Sequence, residues 1–530
     1  MGGRNLIPFR FNPRGVVDAL DGGQVPEGAL SAATNLIFDS ANPFTFECRP
    51  AAVKVSTFSG FSSPGFVSIS RVIGDVCYGM VKSNADVGYD QPFAYNLATN
   101  LFITVTGTQT STTLPLTQSP TGTWTPPTMD LVGVNLYVTH PGFVGGGSAF
   151  FGWFDLTNPL APVWNSGNTA VTPLPTVPTN VKQFNNRAWF SCGSALYFTD
   201  ALTTTITDPS HVLTIGDSTN ITALATQPLT TAVQGIIQSL IVFKSNVIAF
   251  VTGDAVDGTL TVNTSQSGVG CSAPRTIAPT PRGVMFMAVD GIRTITSDGV
   301  IGPPQDDLKI PFINALTPSR ASAAYNNSVY RITVQNGHAN GNPYEEYWFD
   351  ETRNGWTGPH TFVQDMVSPY NNTFVAFDHS IVPGLFVSDV NQTGTSVFTE
   401  NGSDLTFLLR TSPMPDDGGL YENSAVLSVI DMQLPQVAQS YTFAAIDVNH
   451  GVLSTAIIAT SMTGAVWNGF TWGNETWTAT SYGMERYNIP WQSSLVFSRM
   501  VWQITGESIP DFKVGKLTVG YQPLQYVRAL

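Results

Sequence analysis

A chain of 530 residues with 37 acidic and 23 basic side chains carries a formal charge of −14. Its charged fraction is 11%, well below the ~25% of ordinary soluble domains, so Ser, Thr, Asn and Gln must supply most of the polar surface. No basic stripe interleaves with aromatics, which argues against tight binding to a nucleic-acid backbone; an acidic surface repels phosphates instead.

The N-terminal stretch MGGRNLIPFRFNPRG has no apolar core of a signal peptide, and Leu6 breaks the myristoylation pattern. No apolar run approaches the ~18 residues of a spanning helix, so no membrane anchor is expected. Residues 1–58 stand apart from the middle of the chain. In PEGALSAATNLIFD (Pro26 to Asp39) the Ala-rich stretch Leu30 to Leu36 is the best short helix candidate, entering a strand; ECRP (Glu47 to Pro50) reads as a return strand.

From about 59 to 411 one phrase recurs: a polar turn rich in Asn or Gly, then a strand of alternating apolar residues. It reads GDVCYGMV from Gly74, GVNLYVTH from Gly133, NNRAWFSC from Asn185, SNVIAFVT from Ser245, RGVMFMAV from Arg282, NNSVYRIT from Asn326 and NNTFVAFD from Asn371. An all-β unit repeated at ~40–50 residues predicts a β-propeller, here of six or seven blades. Gly/Pro/Thr-rich connectors such as Thr113 to Pro127 and Thr172 to Asn180 read as inter-blade loops, and Asn354-Gly355 as a two-residue hairpin turn.

At TSPMPDDGG (Thr411 to Gly419) the composition breaks. Residues 412–530 alternate over longer strands and predict a β-sandwich-like domain. Neither this part nor residues 1–58 holds enough strands to close a core alone, so the two are expected to form one platform beside the propeller. Trp467, Trp472 and Trp477 surround Asn-Gly and Gly-Asn turns; they read as a hairpin with cross-strand aromatics, or as an aromatic ligand cage.

No nucleophile elbow, phosphate-binding loop, HExxH motif or dinucleotide fingerprint occurs. The six histidines are scattered, and the carboxylate pairs Asp306-Asp307 and Asp416-Asp417 sit in turns, where neighbours point apart. No catalytic residue and no cofactor is expected. Cys48, Cys77, Cys192 and Cys271 show no metal-binding spacing; they read as free thiols in a reducing compartment, with two long-range disulfides as the alternative. Asp389, Asn391, Thr393 and Glu400 fall at positions 1, 3, 5 and 12 of a calcium-loop pattern. Thr393 replaces the usual Asp or Asn, and a hairpin turning at Gly394 explains the segment equally well.

The chain resembles the tail nozzle proteins of short-tailed bacteriophages, the tail tubular protein B type. The resemblance rests first on PEGALSAATNLIFDSANPFTFECRP, where Asn35, Phe38, Asp39, Arg49 and Pro50 match the family's N-terminal phrase. It continues in NNRAWFSCGSALYFTDALTTTITDPS with TNITAL and LIVFKSNVIAFVTGD, in GCSAPRT with MFMAVDGIRTI, and in PWQSSLVFSRMVWQIT. It implies a structural virion protein, made in the host cytoplasm, that forms a homo-hexameric ring at the distal tail. An adaptor ring would attach above and tail fibres or spikes outside, with duplex DNA passing through without sequence-specific binding. Asn35, Phe38, Asp39 and Arg49 are then candidates for inter-subunit or adaptor contacts, or else serve a local turn and pair with a nearby carboxylate. Two other functions fit an all-β chain of this kind: a carbohydrate-binding propeller or host-receptor adhesin, and a propeller hydrolase, which needs convergent carboxylates or histidines at one mouth of the ring.

Overall fold

The structure is a computed structural model. It describes residues 5–526 except 10, 12–13, 19–27, 43, 60–63, 84–88, 108–124, 144–149, 232–234, 256, 266–267, 337–343, 362–363, 379–382, 389–396, 414–420, 435–438, 449–450, 461–483, 490, 492–494, 498 and 511.

Strands dominate throughout, and the middle of the chain is a β-propeller. Seven sheets succeed one another around a ring. Their innermost strands are Pro64–Ile73, Thr128–Val132, Asn180–Phe184, Ala223–Thr231, Ala273–Thr280, Ser322–Asn326 and Gln364–Tyr370. Each packs against the next, and the last packs against the first. The repeated phrase thus marks seven blades, and no phrase falls outside the ring. In six of them the turn joins the innermost strand to the second: Ile73↔Val76, Val132↔Asn135, Phe184↔Arg187, Thr280↔Gly283, Asn326↔Val329 and Tyr370↔Thr373 are the closing pairs. The exception is SNVIAFVT, whose turn lies one strand further out, between Gly235–Phe243 and Ile248–Thr252 of the fourth blade. A period-2 strand after a polar turn looks the same at either place, which is why the sequence did not separate them.

Asn and Gly open these turns because the tight hairpin needs positive φ. Asn185 and Asn186 stand at φ 49° and 57°, Asn371 at 48°, Gly74 at 59° and Gly133 at 60°. Apolar clusters fill the spaces between neighbouring blades. Phe151, Phe190 and Tyr137 join the second to the third, and Phe58, Phe93 and Phe377 join the seventh to the first.

The platform is built from both ends of the chain. One sheet carries Leu36–Phe38, Phe46–Cys48, Lys513–Tyr526, Tyr421–Gln433 and Glu485–Asn488 in that order; Asn5–Phe9 also pairs with Lys513–Tyr526, and Leu495–Phe497 with Tyr421–Gln433. The other carries Leu30–Thr34, Thr406–Thr411, Met500–Glu507, Gln439–Asp447 and Gly451–Thr460. Leu36, Phe46, Ile430 and Val514 of the first sheet share a core with Leu409, Tyr441, Phe443 and Ile504 of the second. The same core runs on into the fifth and sixth blades through Met287, Tyr330, Phe349 and Trp356.

Two boundaries shift from the sequence reading. Val53–Thr57 is the outermost strand of the seventh blade, paired with Gly384–Ser388, and not part of the platform. With that strand outermost, the chain enters the first blade by the same outer-to-inner passage that links the other blades. At the other end Thr406–Thr411 belongs to the platform sheet, not the propeller. The Leu30 to Leu36 segment is also strand, not helix: Leu30–Thr34 pairs along Thr406–Thr411, and Asn35 breaks it at φ 56°. Alanine's helix propensity is a weak preference that a ladder on a buried sheet readily overrides. At Asn354-Gly355 a hairpin does turn, but not through a two-residue turn: residues 351–354 form the loop, closed by Asp350↔Gly355, with Asn354 at φ 53° and Gly355 already the first residue of the next strand.

Candidate functional site

The residues singled out near the N-terminus meet where the platform joins the ring. Asn35 sits between two strands of the platform and is fully buried. Its backbone N–H donates to His360 Nδ1 at 3.1 Å, and its side-chain amide donates to Thr361 Oγ1 at 2.7 Å and to the Thr406 carbonyl at 2.6 Å. Its Oδ1 accepts from Arg49 Nε at 3.0 Å and from the Thr361 N–H at 3.1 Å. Arg49 is 1% exposed and forks onto Glu400, with Nη1 to Oε1 at 2.9 Å and Nη2 to Oε2 at 2.8 Å. The Ala52 N–H donates to the same Oε1 at 2.8 Å. Residues 35, 49, 360 and 400 thus form one buried polar network holding the N-terminal segment, the sixth blade and the strand entering the platform together. Bidentate geometry of this kind is the strong form of the ion pair.

A second buried arginine stands beside the first. Arg331 Nε and Nη2 donate to Glu346 Oε1 at 2.9 and 2.8 Å, and Nη1 donates to Ser388 Oγ at 2.6 Å, tying the sixth blade to the seventh. Its guanidinium lies 4.2 Å from the Trp348 ring centre and 4.9 Å from that of Phe374. Arg49 approaches Trp348 at 5.9 Å, and the His360 ring lies 4.8 Å from it. Trp348 is therefore an aromatic spacer between two cations. Burial pushes the Glu346 carboxyl above its usual range, against the pull of Arg331. Burial, with Arg49 and Arg331 nearby, holds His360 well below its usual value, so the ring is neutral. A neutral ring fits its bonds: Nδ1 accepts from Asn35, and Nε2 lies 3.3 Å from Thr357 Oγ1.

Phe38 and Asp39 lie in the platform, 6% and 4% exposed. Phe38 packs on Phe46 at 5.0 Å, and Asp39 Oδ1 accepts from Lys513 Nζ at 2.8 Å. All four interface candidates are thus covered by their own chain, and anything they do for assembly passes through the shape they hold. The carboxylate that pairs with Arg49 is distant in sequence, not local. Of the calcium pattern, Asp389, Asn391 and Thr393 lie outside the described residues, and Glu400 has both oxygens on Arg49. Among the described residues no group of three or more His, Cys, Asp or Glu is placed to hold a metal ion. Trp467, Trp472 and Trp477 also lie outside the described residues.

Sequence reasoning missed a third buried contact. His140 Nε2 lies 2.6 Å from Asp90 Oδ2, which also accepts from Ser68 Oγ at 2.7 Å, while His140 Nδ1 accepts from the Gly142 N–H at 2.9 Å. Ser and His both meet the carboxylate, not each other, and both His140 and Asp90 side chains are fully buried. The trio clasps the first blade to the second, and lacks the serine–histidine bond that activates a nucleophile. The four cysteines are buried free thiols; burial pushes Cys192 up to about 11 and Cys48 and Cys271 up to about 12.

The axis of the ring is a channel of about 450 Å³, lined by residues of all seven innermost strands. That is the size of a small-molecule cavity and far too narrow for duplex DNA. No described helix is long and apolar enough to cross a membrane.

No protein-family model matches the chain, and no curated protein sequence matches it. Its shape is similar to solved structures. BamB from Moraxella catarrhalis is 11% identical, over 74% of this chain and 100% of that one, with a TM-score of 0.36. The WD40 β-propeller domain of Doa1 is 7% identical, over 64% and 98%, with a TM-score of 0.37. An exo-β-1,3-galactanase from Phanerochaete chrysosporium is 10% identical, over 74% and 95%, with a TM-score of 0.25.

Proposed function

We propose that the chain is a structural virion subunit of the tail nozzle type, six copies of which form the distal channel for DNA ejection. The observation that carries this reading is the junction. Asn35 and Arg49, matched by the family's N-terminal phrase, are spent in a buried network that fixes a two-ended platform to the ring. A subunit that must keep one shape inside a larger assembly needs such a junction. The described polar clusters serve blade-to-blade or platform-to-ring contacts, which supports a scaffold rather than an enzyme.

The axial channel of one propeller cannot carry DNA, so the conduit in this reading lies between copies. Six subunits in a head-to-tail ring need two different complementary faces on each, which the platform and the blade rims can supply. The formal charge of −14 suits a bore that DNA must cross without sticking. An adaptor ring docks on one end and fibres or spikes on the outside.

The native mass in solution, measured at a series of concentrations, separates this reading from its rivals. Six copies are expected. A stable trimer favours the adhesin, and a strict monomer favours the enzyme; either overturns the nozzle.

A further inference from the structure

One end of the ring is both apolar and acidic. Each innermost strand runs to the turn that opens its second strand, and antiparallel pairing brings the third strand back to the same end. The turns after the first strands and the loops after the third therefore share one rim. Over the first five blades this rim leaves Leu101, Val134, Leu160, Leu202, Ile236 and Val300 exposed. Neighbouring blades touch along it, so the surface is continuous. Tyr78 of the first blade donates to the Pro159 carbonyl of the second at 2.8 Å, and Tyr137 of the second to the Thr203 carbonyl of the third at 3.2 Å. Asn185 of the third blade donates to the Gly253 carbonyl of the fourth at 2.7 Å, and the Thr230 N–H of the fourth to the Ser297 carbonyl of the fifth at 2.6 Å. Leu202 is held on this rim against its backbone preference. It stands at φ 58°, with its N–H on the Asn186 carbonyl at 2.8 Å, and keeps 59% of its surface in water. Burial does not offset that strain, and strain of this kind collects at binding surfaces.

The charge on the rim has one sign. In the first four blades its turns and loops contain no Lys or Arg, and Arg282 of the fifth is turned onto Glu351 of the sixth. Asp75, Asp208, Asp257 and Asp298 are exposed, and none of the four is in an ion pair among the described residues. Apolar side chains set among charges of one sign mark a surface for a complementary protein. A second copy is a poor counterpart. The chain is −14 overall, and most of its described Lys and Arg already pair with carboxylates of their own chain. Nucleic acid and anionic lipid are repelled.

We infer that this rim docks a separate protein that offers apolar side chains flanked by Lys and Arg. The inference is independent of the nozzle reading, because it concerns a face of one chain whatever its copy number. Fluorescence anisotropy of the full chain with a labelled amphipathic peptide of Leu and Lys tests it, beside two control peptides, one with Ser for Leu and one with Glu for Lys. The Leu/Lys peptide is expected to bind about tenfold more tightly than either control. Val134→Ser with Leu202→Asn, the latter suited to a positive φ, is expected to weaken binding about tenfold. Asp208→Asn with Asp298→Asn is expected to weaken it and to lower its salt dependence. Val289→Ser, at the opposite end of the fifth blade, is expected to leave it unaltered. A photo-crosslinking group on the peptide is expected to label residues 156–162 or 199–211. No binding of the Leu/Lys peptide overturns the inference, as do equal binding of the Ser control, labels confined to the platform, or an affinity indifferent to Val134→Ser with Leu202→Asn. Self-association of the parent chain that the same double variant abolishes also overturns it, and assigns the rim to a second copy.

Discussion

The propeller and the platform solve the same problem, burying one face of many strands, by opposite routes. In the propeller nearly every strand pairs with its neighbour in sequence, through the turn or loop that joins them. In the platform the partners come from opposite ends of the chain: Asn5 lies opposite Tyr521, Phe46 opposite Val514 and Leu30 opposite Thr411. Local pairing is held by turn chemistry and apolar packing between blades. Distant pairing must also close a loop of several hundred residues, whose entropic cost grows slowly with length. Here the closure is reinforced by buried charge, with Arg49 gripping Glu400 across most of the chain. The lesson is that the ring is robust blade by blade, while the platform depends on a few long-range contacts.

That contrast is broken most sharply at Arg49. Arg49→Ala leaves the buried Glu400 without its counter-charge and Asn35 Oδ1 with the Thr361 N–H alone, at a cost of about 3–5 kcal/mol. Chemical denaturation is expected to show an early transition for the platform, with the propeller unfolding later. The pair Arg49→Met with Glu400→Leu should recover much of the loss, because both charges are then gone. A single transition, no weaker than the parent in the Arg49→Ala chain, would sink the claim that this contact holds the platform.

A second measurement sharpens the comparison through pH. His360 has its folded pKa held below the ordinary 6.5, so its contribution is complete above that value and is lost as pH falls beneath it. Glu346 has its folded pKa raised above the ordinary 4.5, so its contribution is complete below that value and is lost as pH rises through the folded one. Acidification therefore sets a loss at His360 against a gain at Glu346. The expected record is a fall in stability below pH 6.5, limited to about 1.4 kcal/mol per pH unit for one proton. His360→Asn should flatten that fall, keeping an acceptor for the Asn35 N–H, and Glu346→Gln should steepen it. Identical slopes in the parent and both variants would remove the junction from the pH response.

The smallest effect belongs to the ring. Asn186→Ala places a Cβ residue without local side-chain help at φ 57°, costing about 1 kcal/mol. Asn186→Gly is expected to be neutral within about 0.5 kcal/mol. Melting curves of the two variants decide it. An alanine variant as stable as the parent would show that the turn is not what sets the blade.

These contrasts also explain what the sequence could reveal. The repeated turn phrase carried the propeller because each blade is specified within its own few dozen residues. The strand Val53–Thr57 was misplaced because nothing local marks a strand whose partner, Gly384–Ser388, lies at the other end of the ring. Leu30–Thr34 looked helical for the same reason: the ladder that makes it a strand is Thr406–Thr411. Asn35 and Arg49 could be singled out, yet Glu400 appeared only as the end of a calcium-like pattern. The Asp90–His140 contact joins separate blades, and no spacing announces it. Around the axis of the ring a signal did exist, with the paired Arg71, Asp130 and Lys182 each three places before the turn at Gly74, Gly133 or Asn185, but it reads only once the blades are aligned.

The central claim is that the chain works as one of six copies around a shared bore, and an electron-microscopic reconstruction of the assembled particle tests it most directly. The account predicts a six-fold ring with an opening wide enough for duplex DNA. Its lumen should carry more acidic and neutral side chains than basic ones, and both chain ends should sit in the platform of each copy. A particle without six-fold symmetry, or a six-fold ring whose bore is lined chiefly by Lys and Arg, would contradict it.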